Sequence, residues 1–100
     1  MRNAATQIQL EMQKQNEEFA NSIGKDYGNL SKDQKKEKTK QLYQRYGDEG
    51  DYESGKEKYL QWARETFGQE VSVDEFGNVL DEKGEKIGSN VDTMQRFAKS

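Results

Sequence analysis

Two consecutive seven-residue stretches carry the densest acidic chemistry in the chain. Asp74-Glu-Phe-Gly-Asn-Val-Leu is followed directly by Asp81-Glu-Lys-Gly-Glu-Lys-Ile. Carboxylates around a glycine can form a calcium loop. An EF-hand loop needs oxygen ligands at positions 1, 3 and 5, glycine at 6 and Glu at 12. With Gly77 at position 6, Phe76 and Lys83 fall on ligand positions. With Gly84 there, Val79, Lys83 and Asn90 do. Neither register can hold the ion. Paired carboxylates also serve glycosidases as acid and nucleophile, and Asp74, Glu75, Asp81 and Glu82 are the candidates. Turn chemistry puts these four at loop tips, where no cleft is implied. The chain has no His and no Cys. It therefore lacks the usual general base at neutral pH, a thiol nucleophile, and imidazole or thiolate metal ligands. No Gly-rich nucleotide fingerprint or nucleophile elbow occurs. No catalytic residue, metal or cofactor is expected, and the protein reads as a non-enzyme.

A second set of residues suggests binding chemistry. Between Lys32 and Arg45 stand six basic and two acidic residues, a net of +4. Lys35, Lys36, Lys38, Lys40 and Arg45 could neutralise phosphates, with Tyr43 and Tyr46 stacking on bases. Against this, Tyr43 and Tyr46 share a helical face with Thr39 and Leu42, which suits a core. The net charge of the chain is −3. From Glu65 to Glu85 there are seven acidic residues and one Lys, a block that would repel a phosphate backbone. Nucleic-acid binding is thus the alternative reading. Blocks of opposite charge also suit protein association, with another protein or a second copy as partner.

The elements that position these residues follow from periodicity. One hundred residues make at most one domain. With 30% apolar and 35% charged residues, the core must be thin and the stability marginal. There is no proline, so glycine punctuates. An amphipathic first helix is expected within residues 1–23, stopping at Gly24. Ala5, Ile8, Met12, Phe19 and Ile23 form its apolar face, a thin stripe whose first turns are expected to fray or wait for a partner. A helical pair is expected over residues 31–67. Its first member starts at a capping box of Ser31 and Gln34 and stops at Gly47. Its second starts near Asp51 or Ser54 and ends at Phe67. Tyr52, Tyr59, Leu60, Trp62, Ala63, Thr66 and Phe67 share an arc there. Gly55 on that arc marks either a close backbone approach or a late start.

Residues 69–88 read as a β-meander. The Asp at i and Gly at i+3 of each repeat favour a type I turn, followed by a left-handed glycine that closes a three-residue hairpin loop. Asp74 then pairs with Asn78, Asp81 with Glu85, and Val73 with Val79. Val71, Val73, Val79 and Ile87 share one face, and a slip of one residue would scatter them. The acidic residues become turn formers and surface charge. A last helix over residues 89–100 is capped by Ser89 or Asn90.

The expected fold is α+β: three helices, a three-stranded antiparallel meander and a C-terminal helix. The expected function is non-catalytic protein interaction or assembly. Ile8, Met12, Phe19 and Trp62 are the interface candidates. The make-up suits a small accessory protein of a phage or mobile element, or a bacterial adaptor. With no membrane span or secretion signal in the sequence, the expected location is cytoplasmic, or the virion if the origin is a phage.

Overall fold

The computed structural model describes residues 4–100, and within them the side chains of all but residues 4, 5 and 26. The fold is mostly helical: four helices and a two-stranded antiparallel sheet. α1 is Ala4–Asp26, α2 Lys32–Tyr46, α3 Tyr52–Phe67 and α4 Asn90–Lys99. β1, Ser72–Val73, and β2, Val79–Leu80, lie between α3 and α4. The three-stranded meander is therefore corrected. Its third strand shrinks to one bridge, Leu80 to Lys86. The reason lies in its composition. Residues 82–86 are all exposed, and only Ile87 has an apolar side chain to pack. Two residues per strand cannot hold a free-standing sheet.

Within that reduced sheet the turn chemistry sets the register. Val73 pairs with Val79 and Ser72 with Leu80. Asp74 N–H donates to Asn78 O, and Asp81 N–H donates to Glu85 O. Gly77 and Gly84 have φ of 78° and 80°, the left-handed conformation that each loop requires of its glycine.

The capping box of α2 is formed, with Ser31 and Gln34 bonded reciprocally. Asp51 caps α3 and Ser89 caps α4 through their side chains. α3 does not start late: Gly55 lies inside it and is buried. A Cβ there would enter the van der Waals sphere of the Tyr43 carbonyl oxygen. Glycine is thus what lets the α2 and α3 backbones touch, at the cost of helix propensity. Thr66, by contrast, is exposed despite lying on the arc of that helix.

α1 does not stop at Gly24. It continues to Asp26 and passes into a 3-10 turn, Tyr27–Asn29. Gly24 instead makes room for the Gln95 side chain, whose amide donates to Ala20 O at 3.0 Å. The three residues before Ala4 in the expected first helix lie outside the described ones.

The core is small and aromatic. Tyr43, Tyr59, Leu42, Met94 and Val79 are almost fully buried. Phe97 of α4 meets the rings of Tyr46, Tyr59 and Trp62 at centroid distances of 4.8, 5.1 and 5.6 Å. Such edge-to-face pairs add about 0.5–1.5 kcal/mol each beyond their buried area. No described helix is long and apolar enough to cross a membrane.

Candidate interaction surface

The two acidic turns, alike in sequence, sit in opposite surroundings. Asp74 Oδ1 accepts from Phe76 N–H and Asn78 N–H at 2.9 Å, and its Oδ2 accepts from Asn78 Nδ2 at 2.8 Å. Gly77 and Asn78 are buried. Three tyrosines from three parts of the chain donate to the carbonyls of this turn: Tyr27 to Phe76 O at 3.1 Å, Tyr43 to Asp74 O at 2.9 Å and Tyr59 to Gly77 O at 2.6 Å. From α4, Asn90 Nδ2 donates to Phe76 O, and Thr93 Oγ1 donates to Gly77 O. The first turn is thus a hub on which α2, α3, α4 and the 3-10 turn after α1 converge. Burial pushes the Tyr43 and Tyr59 hydroxyls well above their ordinary pKa, so both remain donors at any physiological pH. The second turn, centred on Asp81, keeps its own bonds to Lys83 and Glu85 N–H but has no hydrogen bond to a helix among the described residues. Asp74 is therefore a structural residue and not surface charge, which corrects the sequence expectation for it. Glu75 and Glu82 are exposed.

The basic residues of α2 do not form one surface. At 100° per residue, Lys32, Lys36 and Lys40 lie about 170° around the helix from Lys38 and Arg45. Lys35 falls in the core-facing arc between these two rows. Each row has acidic or aromatic company. Lys36 Nζ is 3.1 Å from Glu75 and 5.5 Å from the centre of the Phe76 ring. Lys35 Nζ lies 5.7 Å from the centre of the Tyr27 ring. Lys40 shares a shallow groove with Asp33, Lys36, Glu37, Tyr52 and Glu75. Arg45 stacks over Phe19 at 4.8 Å and donates to Asn16 Oδ1 at 3.2 Å, tying α2 to α1. Tyr43 is a core residue with 0% exposure, and Tyr46 is half-buried against Phe97. No tyrosine of α2 is left free to stack on a base.

The apolar candidates divide. Trp62 is half-buried. It stacks on Tyr59 at 5.7 Å and meets Phe67 edge-on at 5.8 Å. It packs against the edge of the aromatic core and keeps part of its surface exposed. Phe19 is partly buried beneath Arg45. Ile8 and Met12 differ sharply, at 56% and 57% exposed. Together with Leu10 they are the only exposed large hydrophobic residues among the described ones.

Their placement follows from how α4 packs on α1. Asn90 reaches Tyr27, Gln95 reaches Ala20, and Ala98 to Ser100 flank Met12 and Asn16. α4 therefore runs antiparallel along α1 and ends near Met12. At 100° per residue, Ile8, Met12, Phe19 and Ile23 lie within about 60° of one another. Ile23 and Ala20 are covered, whereas residues 6–15 are all exposed. One stripe thus begins in the core and runs out past the end of α4. Leu10 lies on the opposite side of α1. At 1.5 Å per residue α1 is about 34 Å long, and its free half helps to stretch the molecule to 51 × 31 × 23 Å. No family model, curated protein or solved structure matches this chain.

Proposed function

We propose that this chain is a non-catalytic protein-interaction or assembly protein, and that it docks through the exposed apolar face of α1. The observation carrying this reading is the continuity of the α1 stripe. Ile23 is sealed by the core and Phe19 is partly buried against it, yet Ile8 and Met12, on the same line, stay more than half exposed. A helix presenting anchors at i and i+4 on one face suits recognition in an apolar groove or by another helix. Exposed apolar side chains in line with a buried stripe mark an interaction site more often than scattered ones do. The nucleic-acid alternative has weaker support, because the α2 cations are split into two rows and Lys36 sits beside Glu75.

The test is capture by the immobilised chain, wild type against a doubly charged variant, Ile8→Glu with Met12→Glu. Both positions are exposed, so the variant should fold like the wild type. A bound protein retained by the wild type and lost by the variant supports the reading. Equal retention by both, or none by either, overturns it.

A further inference from the structure

Phe67 closes α3, and Ile87 comes just before the bend into α4 at Gly88, whose φ is 69°. Both side chains are partly buried against the core. Both also line two hollows, of about 420 and 360 Å³. The hollows therefore adjoin, and Phe67 and Ile87 form their common apolar floor. No residue of α1 lines either one, so this surface stands apart from the docking face proposed above.

The walls beyond the floor carry opposite charge. Arg96 and Lys99 stand on one side, with Asp92 as the only acid there. They are three residues apart on α4, so one helical face presents both. The Arg96 guanidinium lies 5.2 Å from the centre of the Phe67 ring. Glu70, Asp81 and Glu82 stand on the other side, with no base among the lining residues. Asp81 is committed to its turn through two backbone N–H groups. Glu70 and Glu82 are exposed and have no such task. A hydrogen bond between their carboxyls holds the Glu82 carboxyl above its ordinary pKa, as happens where like charges lack a cation between them. Among the described residues, neither salt bridge involves any of these charges. Each end of the floor thus lacks its counter-charge.

Complementarity decides what fits. No group of three acidic side chains among the described residues is placed to hold a metal ion. The acidic end instead suits an ammonium or guanidinium, and the Arg96 end suits a carboxylate. An apolar side chain between them would take the remaining surface of Phe67 and Ile87 out of water. We propose that this floor docks an extended segment of a partner protein in which a basic and an acidic residue flank apolar ones, the base lying against Glu70 and Glu82 and the acid against Arg96 and Lys99. The charges sit in solvent, where ion pairs are weak, so the contact selects its partner more than it holds it.

Nuclear magnetic resonance titration of the full chain tests this with peptides acetylated and amidated at their ends: Lys-Leu-Leu-Glu, Lys-Leu-Leu-Lys, Glu-Leu-Leu-Glu and Gln-Leu-Leu-Gln. The first should bind tightest, by about two- to fivefold for each ion pair that another peptide loses. Its shifts should fall on the backbone amides of residues 67–71, 81–88 and 92–99. Arg96→Glu with Lys99→Glu should move the preference to Lys-Leu-Leu-Lys, and Glu70→Lys with Glu82→Lys should move it to Glu-Leu-Leu-Glu. All four residues are exposed, and a variant that merely misfolded could not gain affinity for a new peptide. Absence of shifts at millimolar peptide overturns the proposal, as does equal binding of all the peptides or a preference that survives both reversals. Shifts centred on residues 6–15 also overturn it, since they would mean apolar adhesion to α1; the docking role of α1 would then be untouched.

Discussion

Replacing Asp74 or Asp81 by alanine removes the same chemical group from the same turn type in one molecule, so the two variants differ mainly in surroundings. Asp74→Ala abolishes three hydrogen bonds to a carboxylate, from Phe76 N, Asn78 N and Asn78 Nδ2. Asn78 is 5% exposed, so water cannot readily replace the lost acceptor. An orphaned buried donor costs about 1–3 kcal/mol, and a loss of about 3–4 kcal/mol follows for the three together. Asp81→Ala abolishes two bonds, from Lys83 N and Glu85 N. Both residues are exposed, water takes over, and the expected loss is about 1 kcal/mol or less. Small domains have only about 5–15 kcal/mol in total, so Asp74→Ala should remove a large share of the stability of the chain. Urea titration followed by circular dichroism gives both free energies, and the slopes show whether either variant alters the surface exposed on unfolding. Melting temperatures should separate by about 8–24 °C. Asp74→Asn retains one acceptor oxygen and should fall between Asp74→Ala and the wild type. Losses for the two alanine variants within about 0.5 kcal/mol of each other would refute the hub, since burial of the first turn would then decide nothing.

Other outcomes follow from the same structure. Gly55→Ala should destabilise by about 2–3 kcal/mol in thermal or urea unfolding, because the new methyl presses on the Tyr43 carbonyl; an increase in stability would mean that the helices do not touch there. Stability should be flat up to the ordinary tyrosine pKa near 10 and then fall. Burial raises the folded-state pKa of Tyr43 and Tyr59, so above that pH the unfolded chain releases protons that the folded chain keeps. The slope should approach about 1.4 kcal/mol per pH unit for each of these two residues, and Tyr59→Phe should make it shallower. Charge reversal at Lys38 and Lys40 should leave the melting temperature within about 1–2 °C, since neither residue has a salt bridge among the described ones; a drop of 5 °C or more would reveal a structural role for them.

The helices were more legible than the sheet. Ser31 with Gln34, Asp51, Ser89 and Gly47 are local signals, and helix ends are set largely by a single capping side chain. The hairpin registers were readable for the same reason, since each Asp-x-x-Gly turn fixes its own pairing. The third strand was not, because strand extent depends on what covers it, and residues 82–86 have no helix over them. Gly24 read as a stop because glycine commonly ends helices, and nothing local announces that Gln95, 71 residues away in sequence, needs the space. The burial of Asp74 had a trace in the repeat itself. Its turn contains Phe76 and Asn78, where the other contains Lys83 and Glu85. Trp62 was placed at an edge by its angle, and its contacts with Tyr59 and Phe67 lie within α3, but its contact with Phe97 of α4 depends on how the helices pack. Ile8 and Met12 were legible as a face, but their exposure depends on where α4 ends.

Because every helix reaches the 74–78 turn with a side-chain hydrogen bond or abuts one that does, the two copies of the repeat are not equal places for the chain to change length. An extra residue at Gly84 or Glu85 would lengthen a solvated loop and leave the tyrosine contacts in register. The same insertion beside Gly77 would pull three carbonyls out of line with three hydroxyls at once. Drift in loop length over evolution, or a tag placed by an experimenter, therefore has room in the second copy and none in the first.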